Sequence, residues 1–193
     1  MISLLLDSSN VDLCVGIIGD DIQDFTIYEA WQTQSEYMIQ EIDKLLTTHN
    51  LTKDDIKDVI VTIGPGSYTG VRISLTIAKV TSLALAIPLY TVSSLHVLKK
   101  DNEPSICLMN ARSGRSYIGV YKGKECILKD QVMKNEDVLS YINEHPDYIV
   151  CGDTKYLNIE GHKANVLLEM YNLKDSLTKY DDALGVKPVY LKD

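Results

Sequence analysis

The apolar positions in the first half of the chain switch between a strand period and a helical period. Short apolar or alternating runs, bounded by turn-forming residues, predict five strands: residues 2–6, 11–18, 22–30, 59–63 and 89–92. Apolar residues three and four positions apart predict two helices: residues 35–46, and a second from Ser67 or Thr69 to about residue 86. Asn50 marks the expected stop after the first helix.

The second half of the chain repeats this order after a charged stretch at residues 99–104, which ends in Pro104. Strand patterns recur in four segments: residues 105–109, 116–121, 125–133 and 148–151. Helical spacing recurs in two: residues 135–143, with Asn135 as the expected cap, and residues 164–171. We therefore predict a duplicated α/β protein with two related lobes, residues 1–99 and a shorter lobe at 104–193.

The predicted helix at residues 69–86 has apolar residues on two sides. At 100° per residue, one stripe consists of Ile73, Ile77, Val80 and Ala84. The opposite stripe consists of Val71, Leu75, Ala78 and Ala86. A helix that lies on a sheet at a monomer surface needs only one apolar stripe, so something other than the sheet must bury the second stripe. Two alternatives remain: the neighbouring helix of the same chain, or a second subunit.

The run Gly64-Pro65-Gly66-Ser67-Tyr68-Thr69-Gly70 joins a buried strand to this helix. It lacks the GxxxxGK[ST] pattern of a Walker A loop, and Thr69 occupies the place of the third glycine of GxGxxG. Such a turn serves either tight packing or the presentation of backbone amides to a phosphate, and the pattern favours packing. Six residues are the candidates for a phosphate-facing turn: Asp7, Ser8, Gly64, Gly66, Ser67 and Thr69.

The charge balance argues against direct binding of nucleic acid by this chain alone. Nineteen Lys and Arg residues against 27 Asp and Glu residues give a net charge of −8, and no basic cluster exceeds a pair such as Lys99-Lys100. Proteins that bind nucleic acid by themselves usually carry a basic face. Residues 80–98 contain no Asp, Glu, Lys or Arg, but Pro88 and five Ser or Thr residues interrupt the run. The N-terminus lacks a basic start, so we expect a cytoplasmic protein without a membrane span.

The sequence predicts neither a metal site nor a catalytic residue. The four cysteines have no CxxC spacing and are expected to be reduced thiols in strand-like core segments. The four histidines are also isolated, without an HExxH pattern. No Ser/His/Asp, Cys/His or paired-carboxylate set is recognisable.

Several segments together resemble the TsaB family. The specific ones are Asp7-Ser8-Ser9, residues 64–73, Ala78-Lys79, Ile87-Pro88-Leu89 and residues 92–95. Fainter similarities follow at residues 110–114, Tyr117, Pro188, Tyr190 and Leu191. The resemblance implies the actin-like, Hsp70-like ATPase (ASKHA, ribonuclease H-like) fold, an α/β architecture of two related lobes with a short C-terminal lobe.

The resemblance also implies a partner role rather than an enzyme. Members of the family act as the non-catalytic, dimerisation subunit in the biosynthesis of threonylcarbamoyladenosine in tRNA. They pair with the catalytic subunit TsaD, work with the ATPase TsaE through the complex and meet tRNA indirectly. A homodimer through the same helices is a further possibility for the chain when it is alone. No cofactor is expected, although weak or vestigial nucleotide binding stays open. The alternative is an ATP-dependent phosphotransferase or ATPase of the same fold.

In the family, two helices of the N-terminal lobe make the subunit interface. The corresponding residues here are Tyr37, Met38, Glu41, Ile42, Leu45, Ile73, Thr76, Ile77, Val80 and Ala84. Substitution of Leu45 or Val80 with Asp is therefore expected to separate the subunits. Gln34, Ser74 and Val80 replace the His and the two Gly residues that are usual in the family, so the closest helix contacts are expected to be looser or shifted.

Overall fold

The first lobe is built on a meander of three antiparallel strands, in a computed structural model that describes residues 1–19 and 21–191. Its elements are β1 (Ile2–Asp7), β2 (Asp12–Gly19), β3 (Ile22–Glu29), α1 (Gln34–Thr48), β4 (Ile56–Thr62), α2 (Tyr68–Leu85) and β5 (Leu89–Val92). Strand β4 lies parallel to β1, and β5 lies parallel to β4. Each of these parallel pairs follows a helical crossover, as parallel pairing requires.

Both faces of this sheet are covered, since its central strand β1 is buried at every position. Successive side chains of a strand point to opposite faces. Leu4 and Leu6 belong to the core beneath α1 and α2, whereas Leu5 belongs to the core on the other face. The continuous apolar run at residues 2–6 is therefore the pattern of a strand that is buried on both sides.

The second lobe repeats the meander with fewer elements. These are β6 (Ser105–Arg112), β7 (Arg115–Lys122), β8 (Glu125–Lys134), α3 (Asn135–Glu144) and β9 (Ile149–Gly152). The four strands form a second sheet in the order β8-β7-β6-β9, in which β9 lies parallel to β6. Helix α3 packs on one face of this sheet, against β7 and β8. The duplicated α/β order predicted from the sequence is thus present.

The last helix and the last strand return to the first lobe. Helix α4 (Val166–Leu173) covers the second face of the first sheet, where Leu167, Met170 and Leu173 are buried. Strand β10 (Thr178–Tyr180), which the sequence patterns did not predict, pairs antiparallel with β5. The stretch 104–193, predicted as one lobe, therefore contributes a helix and a strand to the other. The physical reason is that a sheet with two apolar faces needs a covering layer on each.

Three helix ends, two of α2 and one of α3, refine the sequence prediction. Helix α2 ends at Leu85, because Ala86 takes up the left-handed backbone conformation, with φ of 51°, that closes the helix. Ser67 caps its start by accepting a hydrogen bond from the Gly70 N–H at 3.2 Å. Asn135, expected as a cap, is instead the first residue of α3.

A polar cluster ties the two lobes together. Asp130 of β8 accepts hydrogen bonds from the hydroxyls of Tyr121 and of Ser93, which follows β5 in the first lobe. The His96 ring stacks on Tyr121 with 4.1 Å between ring centroids. Burial raises the pKa of the Asp130 carboxyl above its ordinary 3.8, although the two hydrogen bonds act in the opposite direction. The junction is therefore fully formed within one chain.

Two further expectations concern the cysteines and the membrane. Cys14, Cys107 and Cys151 are buried in strands, whereas Cys126 is exposed on β8, and all four are free thiols. Within residues 1–19 and 21–191, no helix is long and apolar enough to cross a membrane.

Candidate partner-binding surface

Helix α2 rests with one side on the first sheet. Val71, Leu75 and Ala78 are each at most 3% exposed, and the helix packs against β4 and β1. These residues form most of one predicted stripe, which is therefore the inner side of the helix. Ala86, the last member of that stripe, is exposed beyond the helix end.

The opposite stripe of α2 is only partly covered. Ile73 and Ile77 are half-buried and pack against the core beneath α1 and α2. Val80 is 60% exposed, and Ala84 is exposed as well. Leu83, which the sequence stripes did not include, is 47% exposed. The chain itself thus covers one part of the stripe and leaves the other part in solvent.

We call Thr76, Val80, Leu83 and Ala84 the outer face of α2. Their spacing of three and four residues places them on one side of the helix, and none carries a charge. The nearby Lys79 is directed aside, where its ammonium group donates hydrogen bonds to the carbonyl oxygens of Leu184 and Val186 at 3.1 and 2.9 Å. An uncharged helix face with large exposed apolar side chains is typical of an interaction surface.

The predicted interface residues on α1 are mostly not at the surface. Met38 and Leu45 are 0% and 5% exposed and belong to the core between α1 and the sheet. Ile42 is half-buried against the same core. The single apolar stripe of α1 therefore faces the core on the sheet. Leu45→Asp is therefore expected to unfold the chain rather than to separate subunits, which corrects the sequence-based expectation.

The other two predicted residues of α1 lie on its side toward β3. The Tyr28 hydroxyl of β3 donates a hydrogen bond to Glu41 Oε1 at 3.3 Å, and Lys44 Nζ lies 3.6 Å from Glu41 Oε2. Tyr37 is 41% exposed one turn before Glu41. Ile39, which was not predicted, is 62% exposed. The signal for Ile39 was present in the sequence, as an isoleucine that lies off the apolar stripe of its helix.

The glycine-rich turn before α2 is packed against the turn after β1. Asp7 Oδ1 accepts hydrogen bonds from the Thr62 hydroxyl and from the Ser9 N–H, the latter at 3.0 Å. The Ser8 hydroxyl donates to the Gly70 carbonyl oxygen at 2.7 Å, and the Ser67 N–H donates to the Ser9 carbonyl oxygen at 2.7 Å. Ser8 and Ser67 therefore take part in the contacts between the two turns, whereas Asp7 bonds within its own turn and to the end of β4.

Two glycines of this turn are required by close backbone approach. A Cβ added to Gly70 would lie 1.9 Å from the Ser8 carbonyl oxygen, and one added to Gly66 would lie 2.3 Å from that of Ser9. A Cβ added to Gly64 would lie 2.6 Å from the carbonyl oxygen of Val189, in the C-terminal segment. Of the predicted phosphate-facing residues, Thr69 is exposed. Tight packing, the favoured sequence interpretation, accounts for the conformation of the turn.

The two lobes also meet at a tryptophan. The guanidinium carbon of Arg112, the last residue of β6, lies 5.8 Å from the ring centroid of Trp31, between β3 and α1. In the first lobe, burial raises the pKa of the Asp12 carboxyl, the negative charges of Asp7 and Glu29 raise it further, and Lys163 opposes them.

Two buried cysteine thiols are unsuited to act as nucleophiles. Burial raises the pKa of the Cys14 and Cys107 thiols, so both remain protonated and unreactive at neutral pH. In the part of the chain that the structure describes, no group of three or more His, Cys, Asp or Glu side chains is arranged to hold a metal ion.

The chain is similar to proteins of one tRNA modification pathway. The family model described as "TsaD: tRNA N6-adenosine threonylcarbamoyltransferase" matches residues 28–176. The chain is 32% identical over 145 residues to the tRNA threonylcarbamoyladenosine biosynthesis protein TsaB of Bacillus subtilis (strain 168), a match that covers 72% of this chain and 62% of that relative. It therefore spans less than two thirds of the length of this relative. A second relative, uncharacterized protein MG208 of Mycoplasma genitalium, is 31% identical over 168 residues, with 84% of this chain and 79% of that protein covered.

A solved structure matches over nearly the whole chain. YeaZ from Pseudomonas aeruginosa superposes with a TM-score of 0.82 and 20% identity, and the match covers 98% of this chain and 99% of that one. At this level of identity the likeness shows the fold. Together with the family model, this match confirms the predicted actin-like fold of two lobes.

Proposed function

The chain belongs to the TsaB/YeaZ family, and from this premise we propose that it is a non-catalytic subunit that binds the catalytic subunit TsaD. In this role it positions TsaD for threonylcarbamoyl transfer to the adenosine beside the tRNA anticodon. The chain forms a homodimer when TsaD is absent, meets the ATPase TsaE and the tRNA only through the complex, and works in the cytoplasm.

The observation that carries this proposal is the outer face of α2. Val80 and Leu83 are 60% and 47% exposed on a helix whose other side is already buried in the sheet. Complete burial of a side chain of this size contributes about 1.5–3 kcal/mol relative to full exposure. The helix has 18 residues and is therefore about 27 Å long, which suits one side of a specific protein interface.

The condition of the glycine-rich turn supports the non-catalytic part of the proposal. Asp7, at the end of β1 beside the glycine-rich turn, is the carboxylate that would face a phosphate-bound magnesium ion. It is 5% exposed, and Thr62 and Ser9 both donate hydrogen bonds to one of its oxygens. Little of the Asp7 carboxylate is therefore accessible to a nucleotide. We therefore expect nucleotide binding by the isolated chain to be weak or absent.

Mixing the purified chain with purified TsaD tests the proposal. We expect one complex in size-exclusion chromatography with light scattering, and we expect Val80→Asp to abolish it. Ile127→Asp is the matched control, because Ile127 is a 41% exposed apolar residue on β8 of the other lobe. Failure of the wild-type chain to bind TsaD would contradict the proposal. Equal loss with both variants would show that the outer face of α2 is not the interface.

Titration with Mg-ATP tests the alternative function. A scaffold subunit is expected to show weak or no heat of binding in calorimetry and no release of phosphate. Tight binding together with turnover by the isolated chain would favour the ATP-dependent phosphotransferase or ATPase instead.

A further inference from the structure

A groove runs along the side of α2, between the helix and the segment at residues 186–190. It encloses about 310 Å³. Besides Leu75 and Val186 at its base, the residues that line it are Tyr68, Arg72, Thr76, Lys79, Pro188 and Tyr190.

The far wall of the groove is held in place by backbone contacts. The Val189 N–H donates a hydrogen bond to the Ile63 carbonyl oxygen at 2.7 Å, at the end of β4. On the helix side, Lys79 donates to the carbonyl oxygens of Leu184 and Val186. Both anchors join the segment at residues 186–190 to the first lobe. The groove is therefore a defined feature of the fold and not a gap beside a loose end.

One end of the groove presents aromatic rings and a guanidinium group. The rings of Tyr68 and Tyr190 stack with 4.8 Å between centroids, although the two residues are 59% and 44% exposed. The Arg72 guanidinium carbon lies 5.1 Å from the Tyr68 ring centroid, and Arg72 Nη1 donates to the Tyr68 hydroxyl at 2.6 Å. This bond uses one of the five N–H donors of arginine, which leaves donors of a residue that lines the groove for an acceptor.

The charge of the groove is opposite to that of the chain. Two cations, Arg72 and Lys79, line it, and no carboxylate does so among the lining residues that the structure describes. The chain as a whole carries a net charge of −8. An arginine fork next to aromatic rings suits a carboxylate and an adjacent apolar or backbone group. Two cations are too few for a nucleic-acid surface, which depends on many phosphate contacts.

The groove is also continuous with the outer face of α2. Arg72 and Thr76 lie one turn apart on the exposed part of the helix, and Val80 follows after another turn. A partner seated on Val80 and Leu83 would therefore have its neighbouring residues at the mouth of the groove.

We propose that this groove receives an extended acidic segment of the catalytic subunit, in which one Asp or Glu carboxylate binds Arg72. The residue next to it packs against Tyr190 and Pro188. This inference rests on the proposed function, because it assigns a second contact to the same subunit. It makes Arg72 and Tyr190 determinants of affinity that lie beside the apolar interface.

The first test compares dissociation constants for TsaD, measured by calorimetry at low and at high salt. We expect Arg72→Glu to weaken binding at least tenfold at low salt and Tyr190→Ala to weaken it about fivefold. Lys122→Glu is the matched control, because Lys122 is an exposed cation on β7 of the other lobe and should change binding less than twofold. The loss for Arg72→Glu should shrink at high salt. Circular dichroism and thermal melting establish that each variant is folded.

The outcomes separate the two proposals. No binding by the wild-type chain would overturn the proposed function and this inference together. Wild-type binding with Arg72→Glu within twofold of it would overturn this inference alone. A variant that retains TsaD but loses tRNA in a filter-binding assay of the assembled complex would assign the groove to RNA and overturn it as well.

The second test identifies the occupant. Arg72→Lys places a primary amine in the groove, and a carbodiimide couples such an amine to a carboxylate in contact with it. We expect mass spectrometry of the cross-linked complex to join residue 72 to an Asp or Glu of TsaD, and the wild-type chain to lack this product. Cross-links only to a second copy of this chain, or no cross-link at residue 72 in a fully formed complex, would contradict the proposal.

Discussion

Helices α1 and α2 lie on the same face of one sheet, yet their outer sides differ. The exposed side of α1 carries Glu36, Gln40 and Asp43, which water solvates well, around one isolated apolar residue, Ile39, which is 62% exposed. The corresponding side of α2 carries Val80 and Leu83. The sheet takes up the single apolar stripe of α1, whereas α2 has a second stripe that the chain only partly covers. The comparison teaches that apolar content alone does not mark an interface. What marks it is apolar surface left over after the core is complete.

The largest expected effect comes from the inner side of α1. Leu45→Asp would place an unpaired carboxylate in the core, and we expect it to lower the free energy of unfolding by about 4 kcal/mol or more. Asp43→Ala on the outer side should change the same quantity by less than about 0.5 kcal/mol. Urea denaturation followed by circular dichroism measures both. A folded Leu45→Asp variant of wild-type stability would place α1 in a different orientation.

A smaller loss is expected at the first turn of α2. In an exposed helix, Gly→Ala stabilises by about 1 kcal/mol. At Gly70 the added Cβ would lie 1.9 Å from the Ser8 carbonyl oxygen, so we expect Gly70→Ala to destabilise the chain by about 2–3 kcal/mol instead. Gly185→Ala, whose Cβ would meet nothing within 4 Å, is the control. Denaturant titration decides the sign, and a more stable Gly70→Ala variant would refute the contact between the two turns.

Two matched substitutions, each of which introduces a negative charge, test the difference between the outer sides of α1 and α2. Leu83→Glu on α2 should weaken the complex with TsaD about 30-fold, because a charge replaces apolar surface in the proposed interface. Gln40→Glu on α1 should leave the dissociation constant within about twofold. Neither change should move the free energy of unfolding of the monomer by more than about 0.5 kcal/mol. Equal effects of the two substitutions on binding would abolish the distinction between the helices.

The smallest expected effect concerns the lobe junction, which is completed within one chain. The pKa of Asp130 is raised in the folded state, so the folded state binds its proton more tightly than the unfolded state does. Its contribution to stability is complete below about pH 4, the ordinary pKa range of Asp, and is lost as the pH rises through the raised value. The free energy of unfolding of Asp130→Asn, relative to that of the wild type, should therefore be higher at pH 7 than at pH 4. Unfolding experiments at both pH values check this, and an equal difference between variant and wild type at the two pH values would contradict it.

The sequence predicted most helices and strands of the fold, but it did not predict correctly which residues of α1 are exposed. The order of strands and helices was readable because the period of apolar residues reports local structure directly. For α1, the same logic that singled out α2 would have placed Leu45 inside, because a helix with one stripe must give it to the sheet. The resemblance to the family named both helices as interface elements, and that implication did not distinguish the buried Leu45 from the exposed Val80.

Other features could not be predicted, because they depend on segments far apart in the chain. Strand β10 is three residues long and carries no apolar alternation, so only its pairing with β5 defines it. The groove beside α2 needs Tyr68 and Tyr190 to meet across more than a hundred residues of sequence. Neither feature leaves a local pattern.

The sequence by itself determined the duplicated α/β order, the glycine-rich turn before α2, the absence of long basic clusters and the two apolar stripes of that helix. Only the tertiary structure decided which stripe remains exposed, where α4 and β10 pack, and that Asp7 accepts hydrogen bonds from Thr62 and Ser9. The physical reason is that periodicity fixes the direction of side chains relative to one another within an element. Their exposure depends on which distant residues fill the space beside them.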